Sequence, residues 1–332
     1  MALRKPPIAP VIRKLPPAPA RSREPHGPDQ FPSATLIPLP GEAPEDVVID
    51  AQGLVVCGVV DGRILRVDPA TGGVELIGRV AGRPLGLEAM PDGSVLVCDS
   101  EHGLLRLDPD TGTLETLVGE VAGSPLRFCS NVTAASDGTL WFTQSSTRFG
   151  LEHHIGAIFE HRGSGRLLRR DPDGTVTVVL DGLHFANGVT MSTDGKSVLW
   201  VETDGYTLKR LAVDGGEPET VMANLPGMPD NISRAADGRL WIAFIYPRNA
   251  LVDRLGALPG WIRQVLWRVP EQLIDLLRER TTWAMCVDES GNVLRDLQSK
   301  SAGYHDVTGV AEHDGRLYLG SLLEPALLSL RL

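Results

Sequence analysis

A turn built on Asp and Gly, followed by a short apolar run, returns six times along this chain. It stands as Asp50-Ala51-Gln52-Gly53 before LVVCG, Asp92-Gly93 before SVLVCD and Asp137-Gly138 before TLWFTQ. It returns as Asp194-Gly195 before KSVLWVE, Asp237-Gly238 before RLWIAF and Asp314-Gly315 before RLYLGS. A second element trails it in four units: ILRVDPATGG, LLRLDPDTG, LLRRDPDG and LKRLAVDGG. Gly53 to Gly93 is 40 residues, Gly93 to Gly138 is 45 and Gly195 to Gly238 is 43. Short strands joined by tight Gly turns at that period predict an all-β fold, a β-propeller. Six copies predict six blades, and the runs read as half-buried strands by their period of two. The mouth of the central channel is then the region where chemistry is expected.

Two gaps exceed the period. Gly138 to Gly195 is 57 residues, with extra sequence near 147–165; Gly238 to Gly315 is 77, long enough to hide one motifless blade plus an insertion. Within the second gap, residues 248–283 carry Leu251, Leu255, Leu258, Ile262, Val265 and Leu266 at helical spacing, and again Leu273, Ile274 and Leu277. This predicts a helical cap beside the channel mouth, or a helical strut on a blade flank. Residues 1–32, rich in Pro and Arg, read as an arm outside the repeat, flexible or clinging; residues 33–332 form the propeller. The closing blade should join the strands ending at Leu332 to a strand from the N-terminal region, because closure removes sheet edges.

Composition narrows the function. A formal net charge of -10 argues against nucleic acid as a partner, since phosphate binding needs a basic footprint. The four cysteines, Cys57, Cys98, Cys129 and Cys286, form no CxxC pair and are expected to be reduced. No apolar run reaches the roughly 18 residues of a membrane span, and the N-terminal segment lacks the apolar stretch of a secretory signal, so a cytoplasmic protein is expected. GxSxG, P-loop, GxGxxG and HExxH motifs are missing, which disfavours Ser-triad hydrolases and dinucleotide enzymes. His153-His154, the one histidine pair, is read as part of a solvated loop.

Polar residues recur at the starts of expected inner strands: Glu45 in PEDVVID, Ser130-Asn131 in CSNVTAAS, Asn187 in ANGVTMS and Asp230-Asn231 in PDNISRA. Equivalent positions in successive blades ring the axis, so these groups should converge. Carboxylates with amide oxygens make a hard-oxygen site suited to Ca²⁺. For any one residue alone, a turn-forming Asn or Asp at a strand start is the simpler account.

The runs FANGVTMSTDGKSVLWVET and LPGMPDNISRAADGRLWIAF, with GRPLGLEAMPDG upstream, resemble the strictosidine-synthase-like branch of the gluconolactonase and paraoxonase superfamily. The resemblance covers about residues 40 to 332. It implies a six-bladed propeller and, as in the lactonase and esterase members, a catalytic divalent cation at the channel, usually Ca²⁺, with Mn²⁺ or Zn²⁺ as alternatives. It places metal ligands at Glu45, Asn187 and Asp230, with Asn231 beside Asp230. In the third blade the family's Asn position holds Ser130, followed by Asn131, so either Asn131 slips in or the site keeps an extra water. Leu85 stands where paraoxonases carry a histidine. Thr308 stands where strictosidine synthase has its last-blade glutamate, which disfavours Pictet–Spengler condensation. The expected function is metal-dependent hydrolysis of lactones or small esters, with metal ligands Glu45, Asn131, Asn187 and Asp230, and Asp230 as base; Ser130 and Asn231 are further contacts. The alternatives are a non-catalytic propeller that binds a ligand or partner around a structural metal and, less favoured, C–N condensation. The partner is a small molecule, and the oligomeric state is left open.

Overall fold

The computed structural model describes residues 5–270 and 278–332. Each Asp-Gly turn joins the first two strands of a four-stranded antiparallel sheet, and the six sheets form the blades of a propeller. The innermost strands are Val47–Ile49, Pro84–Ala89, Cys129–Ala134, Ala186–Met191, Gly227–Arg234 and Val307–His313; each touches its neighbours on both sides, so the ring is closed. Glycine is needed at these turns because Gly53, Gly93, Gly138, Gly195, Gly238 and Gly315 all have φ between 68° and 89°. In five of them the preceding Asp caps the turn; Asp92 Oδ1, for example, accepts from Ser94 N at 3.0 Å.

One turn serves one blade, so the long second gap hides no extra blade. It is filled by the cap insertion inside the fifth sheet and by the outer strands of that blade. The second strands are also not half-buried. Val55–Gly58, Val95–Asp99 and Leu140–Gln144 are buried at every position, because neighbouring blades stack on both faces. Exposed positions appear further out, as at Glu75, Leu76 and Arg79 of Val74–Arg79, though without strict alternation. All four cysteines are free and buried, which suits small apolar side chains in blade contacts.

The ring closes through its last blade. Ala34–Pro38 pairs antiparallel with Ala326–Arg331, Leu36 facing Leu328, and becomes the outermost strand of the sheet made by the C-terminal strands.

Over one end of the channel lies a helical cap. It comprises a 3-10 turn at Leu151–His153 and α1 (His154–Glu160) from the first long gap, then α2 (Ala250–Ala257) and α3 (Gly260–Leu266) from the second. Asn249 starts α2 by accepting from Leu251 N at 2.8 Å. The predicted insertion is too long at its end: Thr282 and Trp283 belong to the blade strand Thr282–Val287. Leu273, Ile274 and Leu277 lie outside the described residues. The stretch read as a solvated loop is half of the cap, with His153 edge-on to Trp267 at 6.1 Å.

The N-terminal arm clings along its length. Ile8 packs with Phe149, Ile155 and Trp267. Trp267 Nε1 donates to Pro6 O at 2.7 Å, and Val11 N donates to Glu160 O at 2.8 Å. Arg263, fully buried in α3, donates to both Phe159 O (2.9 Å) and Val11 O (2.8 Å), so one guanidinium ties arm, α1 and α3 together. Further on, Arg21 forms a bidentate pair with Asp296 on the outer strand of the fifth blade. Among the described residues no helix is long and apolar enough to cross a membrane.

Candidate functional site

The innermost strands share one irregularity. In the second to sixth blades the ladder to the second strand gains one extra residue, as between Cys129↔Gln144 and Val132↔Phe142. Such a bulge re-aims the side chains within it. It places the pairs Leu85-Gly86, Ser130-Asn131, Asn187-Gly188, Asp230-Asn231 and Thr308-Gly309 at the axis; Glu45-Asp46 fills the corresponding place before Val47–Ile49. Two residues ahead of Glu45, Ser130, Asn187 and Thr308 stand Ala43, Phe128, Phe185 and Asp306, each non-glycine with φ between 53° and 59°. Four strained residues in one register mark a position that the fold strictly maintains.

The second member of each pair builds a plug across the channel. In three alternate blades it is a side chain: Asp46, Asn131, Asn231. In the others it is glycine. A Cβ on Gly86 would meet Asn131 Cα at 2.4 Å, one on Gly188 Ile232 N at 2.3 Å, and one on Gly309 Asp46 Cα at 2.7 Å, so the glycines make room for the neighbouring backbone. Asn131 Nδ2 donates to Asn231 Oδ1 at 3.0 Å and to Asp46 Oδ2 at 3.3 Å. Asp46 also accepts from Val47 N and Leu87 N, both at 2.9 Å. Asn131 and Asn231 thus join each other in the plug, and neither lines the cavity beneath the cap.

The first member of each pair faces that cavity in four blades: Glu45, Ser130, Asn187 and Asp230 line it together. The third-blade position is therefore held by Ser130. Its Oγ lies 2.6 Å from Ser145 Oγ, which donates onward to Ala186 O. Asn187 Nδ2 donates to Asp230 Oδ1 at 2.9 Å and to Thr203 Oγ1 at 3.2 Å. With the amide nitrogen engaged, the oxygen lone pairs are left to accept a hydrogen bond or face a cation. Burial raises the Asp230 pKa well above the ordinary carboxylate value, and Glu45 raises it further. Burial also raises Glu45, opposed by Arg83, whose Nε sits 3.0 Å from Glu45 Oε2. Two buried carboxylates that repel each other, an amide oxygen and a hydroxyl make a donor set that fits a hard divalent cation.

The rest of the cavity, about 260 Å³, is mostly apolar, with Thr203, Asn249, Arg278 and Glu279 also in its lining. Phe128 and Phe185 meet edge to face at 5.5 Å near its floor, and Ile155, Val252 and Leu266 of the cap close it from above. Sequence reading missed Arg83, Thr203 and these two phenylalanines. The phenylalanines left a signal, standing two residues ahead of Ser130 and of Asn187. Arg83 sits in GRPLG, two before the blade position, where a cation beside Glu45 could have been looked for.

Burial pushes Asp46 up to about 7, in the same sense as Glu45 and Asp230. A carboxylate with a raised folded pKa binds more protons folded than unfolded, so stability falls as pH rises from the ordinary carboxylate range toward 7. In chelator, the melting temperature is expected to be higher at pH 5.5 than at pH 7.5, by about 5 °C. Asp46→Asn should lose part of that slope in a thermal scan. A profile that rises with pH would show that these groups ionise without penalty.

A model of the SMP-30/gluconolactonase/LRE-like region matches residues 40–256. Strictosidine synthase-like 10 of Arabidopsis thaliana is 33% identical over 330 residues, covering 90% of this chain and 88% of that protein. Adipocyte plasma membrane-associated protein of Salmo salar is 33% identical over 311 residues, covering 84% and 73%. Among solved structures, a gluconolactonase of Xanthomonas campestris superposes with a TM-score of 0.66 at 17% identity, covering 99% of both chains. The calcium-binding protein regucalcin of Agrobacterium tumefaciens gives 0.63 at 17%, covering 90% and 93%.

Proposed function

Because the chain belongs to the SMP-30/gluconolactonase/LRE-like family, we propose that it hydrolyses lactones or small esters of largely apolar body, with a divalent cation, Ca²⁺ foremost, held by Glu45, Ser130, Asn187 and Asp230. The observation that carries this reading is the meeting of those four oxygen donors in one mostly apolar cavity. A bound cation would polarise the substrate carbonyl and acidify a water. Asp230 would take the proton from that water at a carboxylate oxygen, its other oxygen steadied by the Asn187 amide. Glu45 would balance charge, with Arg83 fixing its rotamer. The Phe128 and Phe185 rings and the cap would exclude bulk water and bind the apolar part. Hydroxyls of a polyhydroxylated lactone set against the Phe128, Phe185, Ile155, Val252 and Leu266 part of the wall would go unpaired, at a cost of about 1–3 kcal/mol each. The calcium-binding neighbour adds weight to the choice of metal.

Arg83 favours a second reading. A guanidinium already neutralises Glu45, as suits a non-catalytic propeller that binds a ligand or partner around a structural metal. Condensation chemistry has less support, since Thr308 spends its hydroxyl on Glu45 O at 2.6 Å and offers no carboxylate. Metal content after purification, paired with a panel of lactones and aryl esters, separates the readings. Stoichiometric metal with turnover of apolar lactones or aryl esters, abolished by chelation and restored by Ca²⁺, is expected. Tight metal binding without turnover of any member would sink the hydrolase reading.

A further inference from the structure

The cap presents large apolar side chains on both its inner and its outer side. Val252, Leu255 and Leu266 face the cavity, whereas Leu251, Leu258, Trp261 and Val265 face outward. Trp261 and Val265 fall four apart in α3 and share its stripe, whereas Leu251 opens α2 and Leu258 follows its end. The arm adds Val11 and Ile12, carried past the same helices by Arg13 N, which donates to Gly256 O, and by the Arg263 bond to Val11 O. Trp261 is 64% exposed, Ile12 58%, Val265 56% and Leu251 54%. Twelve large apolar side chains are exposed among the described residues, and six of them lie on these two segments. Elsewhere they are scattered, as on any soluble surface; here they meet on one face. Apolar side chains gathered in this way on one face, rather than scattered singly, mark a surface used for binding.

The rim around these side chains identifies what covers them. Among the described residues, Lys14, Arg23, Arg162, Arg254, Arg268 and Arg280 are exposed on the arm and insertion, against the exposed acids Glu24, Glu152 and Glu279, the last paired with Lys300. The whole chain carries -10, so this face opposes the sign of the rest. Asp253 does not dilute it, being paired with Arg248 at 2.8 Å. Tryptophan with aliphatic neighbours, ringed by Lys and Arg, is the composition of a surface that sits at the boundary of a bilayer with anionic headgroups.

We propose that the cap and arm form a docking face for an anionic lipid surface, with Trp261, Val265, Leu258 and Ile12 entering the headgroup boundary. The cavity on the inner side of the cap then lies close to the lipid, where apolar small molecules concentrate. The inference stands on the outer face of the cap and does not require the hydrolase reading to hold.

Trp261 supplies its own probe, since the other five tryptophans are at most 3% exposed. The full chain is mixed with vesicles of phosphatidylcholine containing about a third phosphatidylserine, at about 0.1 M salt. The protein is expected to sediment with them, with a blue shift of its emission, and to bind pure phosphatidylcholine at least about tenfold more weakly. Trp261→Glu combined with Val265→Glu should weaken partition about tenfold or more while leaving the melting temperature unchanged. Lys14→Gln with Arg254→Gln and Arg268→Gln should erase the preference for anionic vesicles. The proposal is overturned if the protein stays in the supernatant, or if the Glu variant binds as the parent does. It is equally overturned if sedimentation velocity shows a dimer that the Glu variant dissolves while vesicles bind neither, because the face is then an interface between copies of this chain.

Discussion

Asp230→Asn is expected to lower kcat/KM for the best lactone or ester about 100-fold or more, a loss in the range of acid–base groups. The substitution keeps an oxygen in place for the Asn187 amide, which now donates to Asp230 Oδ1 at 2.9 Å, so the inner strand has no reason to move. It removes the negative charge and the basicity. Cation affinity should fall with it, measured by calorimetry on the chelated protein. Stability should move the other way: the ionised Asp230 is disfavoured by burial and by Glu45, so the neutral amide should melt no lower, and above pH 6 somewhat higher, without metal. Ser130→Ala should weaken the cation less, since a hydroxyl is a poorer donor than a carboxylate. Asn131→Ala should act mainly on stability, through the plug. An Asp230→Asn protein that binds metal normally and keeps full activity would refute the mechanism and leave the binding propeller as the better account.

The largest expected effect on stability comes from the last ten residues. A chain ending at Leu322 lacks all of Ala326–Arg331, the single partner of Ala34–Pro38 and the outer neighbour of Arg316–Ser321. Leu327, Leu328 and Leu330 are no more than 1% exposed. Their burial alone contributes about 6 kcal/mol, comparable to the roughly 5–15 kcal/mol that holds a domain folded. Two strands are also left with unpaired backbone. The truncated chain is expected to be unfolded at 25 °C. Far-UV circular dichroism would show the loss, and the four buried thiols, silent in the full chain, would react at once with a thiol reagent. A truncated protein that melts like the intact one would contradict closure by this blade.

Much of this architecture is written in the repeat, because each blade must turn once through a left-handed glycine, and Asp-Gly is the chemistry for that turn. The axial residues were legible for the same reason: a fixed offset from the turn is a fixed place in the ring. Phase within the pair was harder. A one-residue bulge decides whether Ser130 or Asn131 looks into the cavity, and no residue type announces a bulge of that kind. The deciding pattern was nevertheless present. Glycine follows the axial residue in alternate blades, at Gly86, Gly188 and Gly309, and the side chains between them, Asp46, Asn131 and Asn231, need the space those glycines leave. The first half of the cap was overlooked because His153-His154 and the charges around it mask the spacing of Leu151, Ile155, Ile158 and Phe159. The course of the arm was not readable at all, since a Pro-rich segment has no period and takes its shape from what it touches.

That arm also has a consequence for the order in which the molecule can be made. The strand that follows it must wait: 288 residues separate Pro38 from its partner Ala326, and α2 and α3 of the cap also come after the fourth blade. At about 5–20 residues per second, a ribosome needs roughly 15 to 60 s to deliver the strand that Ala34–Pro38 awaits. Throughout that time Ala34–Pro38 lacks its strand partner, while blades one to five assemble behind it. The proline-rich arm just ahead of it resists pairing with the open sheet edges of the half-built ring.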